Sequence, residues 1–190
     1  MKKFIPLIVI CFLSLQGCFF IAGAAAGAAA VAVVYDHRKI EKILLDERIA
    51  KNAADKLRAN EELHNNSHIE VNCFNQQVLL TGETTTPEFR EEAEEIVQSV
   101  PDIKRVYNQI SIKGPASALT QASDSWITAK IKTQMLATKG MQSSTIKVVT
   151  ENGTVYLMGS VTRDQADIAV SIARQISGVQ RVMKIFQYKN

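Results

Sequence analysis

The chain repeats itself, and this constrains its fold more than any other feature. Asn75-Gln76-Gln77-Val78-Leu79-Leu80-Thr81-Gly82 aligns with Asn152-Gly153-Thr154-Val155-Tyr156-Leu157-Met158-Gly159, 77 positions later. Upstream, Ile49, Ala53 and Leu57 pair with Ile127, Ile131 and Met135. Downstream, Val100-Pro101-Asp102-Ile103-Lys104-Arg105-Val106 pairs with Ile176-Ser177-Gly178-Val179-Gln180-Arg181-Val182. The offset drifts by one residue on either side, as loop-length changes between two copies produce. Each copy has the length of one small domain.

Both copies read in the same order. An amphipathic helix comes first, Asp46–Ala59 or Asp124–Ala137, with an acidic residue at its start where the helix dipole favours one. Two alternating strands follow, Ile69–Cys73 and Val78–Thr81 in the first copy, Ile146–Thr150 and Val155–Met158 in the second. Asn75-Gln76 and Asn152-Gly153 occupy the hairpin turns between them. A second helix spans about Pro87–Val100 or Arg163–Ile176, and a last strand, Arg105–Ile112 or Arg181–Tyr188, completes the unit. Proline is tolerated in the first turn of a helix, which suits Pro87. The fold class is therefore α+β: two tandem αββαβ domains, each with two helices on one face of a small mixed three-stranded sheet. The first domain covers 46–113 and the second 124–190, with residues 114–123, which include Gly114 and Pro115, as the linker.

The N-terminus fixes a compartment. Lys2 and Lys3 precede an apolar run from Phe4 to Leu15, and Gln16-Gly17-Cys18 closes it. This is the basic, apolar and small-residue order of a secretory signal, with a thiol where the mature chain would begin. The expectation is a bacterial lipoprotein: residues 1–17 are the signal peptide, Cys18 carries the lipid (palmitate among its acyl chains), and residues 18–45 form an Ala/Gly-rich spacer. Phe19 in the second mature position, rather than aspartate, favours the outer membrane over the inner. Two readings compete. Phe4–Val34 is long enough to span a bilayer, which takes about 20 apolar residues, and the segment also fits an ordinary signal peptide. Once Cys11 is removed and Cys18 lipidated, Cys73 has no disulfide partner, and its place on the apolar side of a strand predicts a buried thiol.

Two tandem copies of this unit, each with a strand ending in Gly82 or Gly159 and a helix leading to Asp102-Ile103-Lys104-Arg105-Val106 or Gly178-Val179-Gln180-Arg181-Val182, resemble BON domains. Ser125-Trp126-Ile127-Thr128 and Val148-Val149-Thr150-Glu151-Asn152-Gly153 add to the resemblance. It is stronger in the second copy, because Val100-Pro101-Asp102 departs from the usual glycine turn. For a lipid-anchored chain with two copies, the resemblance implies phospholipid binding, a role in outer-membrane integrity and enrichment at division sites.

The residues themselves argue against catalysis. His37, His64 and His68 are the only histidines, and none stands in a frame with a nucleophile. Glu91-Glu92 and Glu94-Glu95 read as a solvated helix face rather than an acid–base pair. No metal, cofactor or nucleic-acid partner is expected. Charge is divided between the copies: Asp46–Lys113 holds 8 basic and 13 acidic residues, a balance of −5, and Asp124–Asn190 holds 9 and 4, a balance of +5.

The helix Asp124–Ala137 stands apart. At about 100° per residue, Ile127, Ile131 and Met135 form a core stripe. Ala122, Trp126, Ala129, Thr133 and Leu136 form a second, nearly opposite, with Lys130 on one flank and Lys132 and Lys139 on the other. A helix with one face in the core is ordinarily polar on the other. Indole favours the headgroup level of a bilayer, and neighbouring lysines can meet anionic phosphates. The corresponding stripe of the first copy carries Arg48, Asn52, Asp55 and Ala59 instead. The expected phospholipid-binding residues are Trp126, Ala129, Lys130, Thr133, Leu136 and Ala137, a placement that the family resemblance also implies. Two alternatives stay open: Trp126 packs against the first domain, whose charge complements the second, or the stripe docks a component of the outer-membrane assembly machinery.

Overall fold

The computed structural model describes residues 40–189, so the Leu15-Gln16-Gly17-Cys18 signal, the lipidation site Cys18 and most of the spacer lie outside the described residues. The first repeat comprises α1 (Ile40–Ala59), a short α2 (Glu61–Asn66), β1 (Ser67–Phe74), β2 (Gln77–Thr84), α3 (Pro87–Gln98), β3 (Arg105–Asn108) and β4 (Ser111–Ile112). The second comprises α4 (Ala118–Ala137), a 3-10 turn at Ser143–Thr145, β5 (Ile146–Glu151), β6 (Thr154–Val161), α5 (Arg163–Gln175) and β7 (Arg181–Tyr188). In each sheet the hairpin strands are antiparallel, and the last strand returns parallel to the second.

Two helices start earlier than the sequence pattern predicts. α1 begins at Ile40 rather than Asp46, and α4 at Ala118 rather than Asp124. The α4 start is fixed by Ser117, whose Oγ accepts the Thr120 N–H at 3.1 Å. The segment between β4 and α4 is shorter than the expected linker as a result, because residues 118–123 are helical. The aspartates are thus not first-turn dipole partners. They sit deeper in the helices, at 3% and 7% exposure, and face the hairpins.

There they perform the same task twice. Asp46 accepts the N–H groups of Asn75 and Gln76, both at 2.8 Å, and Asp124 accepts those of Asn152 at 2.7 Å and Gly153 at 2.9 Å. The turn residues have positive φ, 50° and 64° in the first copy and 49° and 71° in the second. This is the backbone that a two-residue hairpin with right-handed twist requires. It points two consecutive amides inward, where only an acceptor with two oxygens can satisfy both.

Gly82 and Gly159, expected to end β2 and β6, lie two residues inside them and permit close approach of the neighbouring chain. A Cβ at Gly82, where φ is +109°, would lie 1.9 Å from the carbonyl oxygen of His68, and one at Gly159 would lie 2.8 Å from that of Thr145. The last strand of the first repeat is broken, where a continuous Arg105–Ile112 is expected. Asn108 is the cause: its amide donates to the Arg90 carbonyl at 2.8 Å and Glu94 Oε2 at 3.1 Å, while its Oδ1 accepts from Ile110 N–H. Ile110 is thereby turned into the core, and pairing with β2 resumes at Ser111.

Strand alternation separates two faces. Cys73, Val78 and Leu80 join Ile49, Ala53, Leu57, Ala93 and Val97 of the helices in the first core. Val148, Val155 and Leu157 do the same with Ile127, Ile131, Met135, Ala169 and Ala173 in the second. The opposite faces of the sheets meet each other. Phe74 and Leu79 of the first repeat pack with Val149, Tyr156, Met158 and Ile185 of the second, flanked by Tyr107 and Met183. Consecutive apolar residues such as Leu79-Leu80 and Tyr156-Leu157-Met158 are the mark of strands covered on both faces. The domains are therefore joined sheet to sheet, and the Trp126 helix is not what joins them.

Candidate functional site

The structure brings the six expected contact residues to one surface. Ile127, Ile131 and Met135 bury one side of α4 against β5 and α5. Trp126, Ala129, Lys130, Thr133, Leu136 and Ala137 are all exposed on the rest of the helix. Trp126 keeps half of its surface in solvent and Leu136 keeps 70%. The Lys130 ammonium stands 5.3 Å from the centroid of the Trp126 ring, within cation–π range. One lysine is thus drawn over the indole, so the charge and the aromatic surface form a single amphipathic element. Thr133 donates its hydroxyl back to the Ala129 carbonyl at 2.9 Å, so that polar group is satisfied within the helix. Lys132 and Lys139 are exposed on the flank.

Leu119 belongs to the same stripe and was not expected there. It lies seven residues before Trp126 and is 82% exposed, the most open of the large apolar side chains among the described residues. Leu119, Ala122, Trp126, Ala129, Thr133 and Leu136 follow one another at spacings of three and four, so the strip runs nearly the length of the helix. The sequence signal was present in Ser117, a good N-cap, followed by Ala118 and Leu119. The nearby Gly114-Pro115 pair hid it by marking a linker.

The matching surface of α1 is ionic. Lys51 and Arg58 bracket Asp55, which holds its carboxyl below the usual carboxylate range, and Arg48 approaches Asp102 at 4.0 Å. Large apolar side chains of α1 are exposed only in its first turns, at Ile40 and Leu44. Among the described residues no helix is long and apolar enough to cross a membrane, and no cluster of histidine, cysteine or carboxylate side chains could hold a metal ion. Cys73 is buried, and desolvation together with Asp46 pushes its thiol up to about 12, so it is not poised as a nucleophile.

A repeated αββαβ unit, joined sheet to sheet and carrying one amphipathic exposed helix, defines a class of paired α+β modules. The BON domain pattern matches residues 45–114 and again 123–190, and the chain belongs to the BON domain family. It is 30% identical to the outer membrane lipoprotein DolP of Haemophilus influenzae, over 92% of this chain and 90% of that protein. It is 34% identical to a 21 kDa hemolysin of Actinobacillus pleuropneumoniae, over 79% and 75% of the two chains. It is also 31% identical to the osmotically-inducible protein Y of Escherichia coli, over 60% and 58%. The chain is thus a DolP-like protein with two BON domains.

Proposed function

We propose that this protein is a lipid-anchored, non-enzymatic component of the outer membrane, facing the periplasm, whose second BON domain binds anionic phospholipid through the outer face of α4. One observation carries the reading: Leu119, Trp126 and Leu136 remain largely in solvent on a helix whose opposite face is fully committed to the core. Exposed apolar strips of this kind mark interaction surfaces, and indole flanked by lysine suits the boundary between headgroup and acyl chain. The lipoprotein relative and the expected Cys18 anchor support the compartment.

The anchor and the helix have different roles in this reading. One acyl chain holds a protein only marginally, but a processed lipoprotein carries more than one and stays bound without further help. The helix then selects lipid composition or curvature. Each lysine near an anionic surface contributes roughly 1 kcal/mol, which is modest singly and discriminating in sum. A role in outer-membrane integrity and concentration at division sites would follow from such selectivity.

Flotation with vesicles tests the proposal. The chain with Trp126→Glu should lose binding to vesicles containing phosphatidylglycerol while retaining its thermal unfolding profile. Binding that persists in this variant would refute the site. Binding indifferent to lipid charge would instead favour the adaptor reading, in which the same face docks an outer-membrane assembly protein.

A further inference from the structure

Where the two sheets meet, one side-chain amide bridges carboxylates of both domains. Asn152 Nδ2 donates to Glu83 Oε1 on β2 of the first domain and to Glu151 Oε1 on β5 of the second, each at 2.8 Å. Glu83 is 2% exposed, and its Oε2 is buried without a hydrogen-bond partner. Lys113 Nζ lies 3.8 Å from Oε1, within ion-pair range but beyond hydrogen-bond distance. An ionised carboxylate left in this condition is costly. Both carboxyls accept from the same Asn152 amide, which sets them close enough for a proton on Glu151 to reach Glu83.

We infer that a proton held on Glu151 faces Glu83 across the domain interface, and that this proton latches the two sheets together under mildly acidic conditions. The other charged groups around the pair have settled tasks or lie to the side. Asp124 of α4 spends its oxygens on the turn amides of Asn152 and Gly153. Glu70 and His68 of β1 line a cleft of about 600 Å³ with Asp124 and Glu151. Burial and then Glu151 push up the Tyr156 hydroxyl, and the charge of Arg181 on β7 opposes them. Desolvation, then the charges of Glu83, Glu70 and Asp124, push the Glu151 carboxyl up to about 7 from its usual 4.5. A raised carboxyl stabilises the packed state fully below the unperturbed value and loses that contribution as pH climbs through the raised one. The latch therefore holds near pH 4.5 and weakens towards pH 7 and above.

The test uses the full chain in detergent micelles. Hydrogen exchange of β2 and β6, corrected for intrinsic rates, should show interface opening increase at least about threefold between pH 5 and pH 8. Glu151→Gln keeps the shape and a donor without the charge, so it should flatten this dependence and hold the sheets closed throughout. His68→Gln should leave the dependence in place, which separates the latch from histidine titration. A Glu151 side-chain carbon that titrates at its ordinary value in the parent, or a pH dependence unchanged in Glu151→Gln, would overturn the inference.

Discussion

The Lys130 ammonium rests 5.3 Å from the centre of the Trp126 ring, one helical turn away on the exposed side of α4. In the proposed reading the pair joins two separate preferences, of an indole for the interface and of a cation for phosphate. Either member can be removed without touching the core, since both side chains are exposed.

Lys130→Ala should weaken binding to anionic vesicles by about fivefold, the equivalent of roughly 1 kcal/mol. Trp126→Glu should abolish it. Added salt should narrow the gap between parent and Lys130→Ala, because exposed charges are screened over about 8–10 Å at physiological ionic strength. Co-sedimentation at two salt concentrations measures both effects.

Leu119→Ser should also reduce vesicle binding, since it removes the large apolar side chain that begins the strip. Its melting temperature should stay within a degree or two of the parent, as a substitution at an open surface position costs at most about 0.5 kcal/mol. A large fall in melting temperature with unaltered binding would show that Leu119 serves the fold instead.

Asp124→Ala leaves two inward-pointing turn amides without an acceptor. Hydrogen bonds to charged groups contribute about 1.5–3 kcal/mol each, so the variant should lose at least about 3 kcal/mol of stability. Asp124→Asn keeps one acceptor oxygen and should lose less. Urea denaturation of both variants, with Asp46→Ala as the counterpart in the first repeat, measures the clamp.

Gly82→Ala should be among the most damaging single substitutions in the first domain. Its methyl group would stand 1.9 Å from the His68 carbonyl oxygen, and the backbone φ of +109° is foreign to alanine. A loss of roughly 2–4 kcal/mol is expected. Gly159→Ala, with a 2.8 Å contact and no such φ, should be milder in the same unfolding measurement.

Cys73 should resist alkylation. A thiol pushed up to about 12 carries almost no thiolate at pH 8, and burial blocks access as well. Labelling of the peptide containing Cys73, followed by mass spectrometry, should accelerate on the order of a hundredfold once urea opens the fold.

The repeat and its periodicities made the αββαβ order legible, because each copy carries apolar residues at helical and strand spacing. The Trp126 strip was legible for the same reason: an apolar outer face violates the usual pattern of a half-buried helix. What escaped depended on partners distant in sequence. Asp46 and Asp124 look like helix-start residues until the hairpin is seen to place two amides against each. The strands with Leu79-Leu80 and Tyr156-Leu157-Met158 are expected to alternate, yet both of their faces are buried, because each sheet covers the other. The break after Asn108 depends on carbonyl and carboxylate acceptors at Arg90 and Glu94, far away along the chain.

The aspartate clamp has a consequence for how such a protein can change over time. It ties helix to hairpin from within, through one buried side chain per copy, and makes no use of the outward face of α1 or α4. Selection can therefore rewrite that face while the scaffold stays put. One copy has kept a solvated, ionic exterior and the other has acquired a greasy, basic one. Duplication here supplied a spare exterior on which a new preference could be tried without endangering the first.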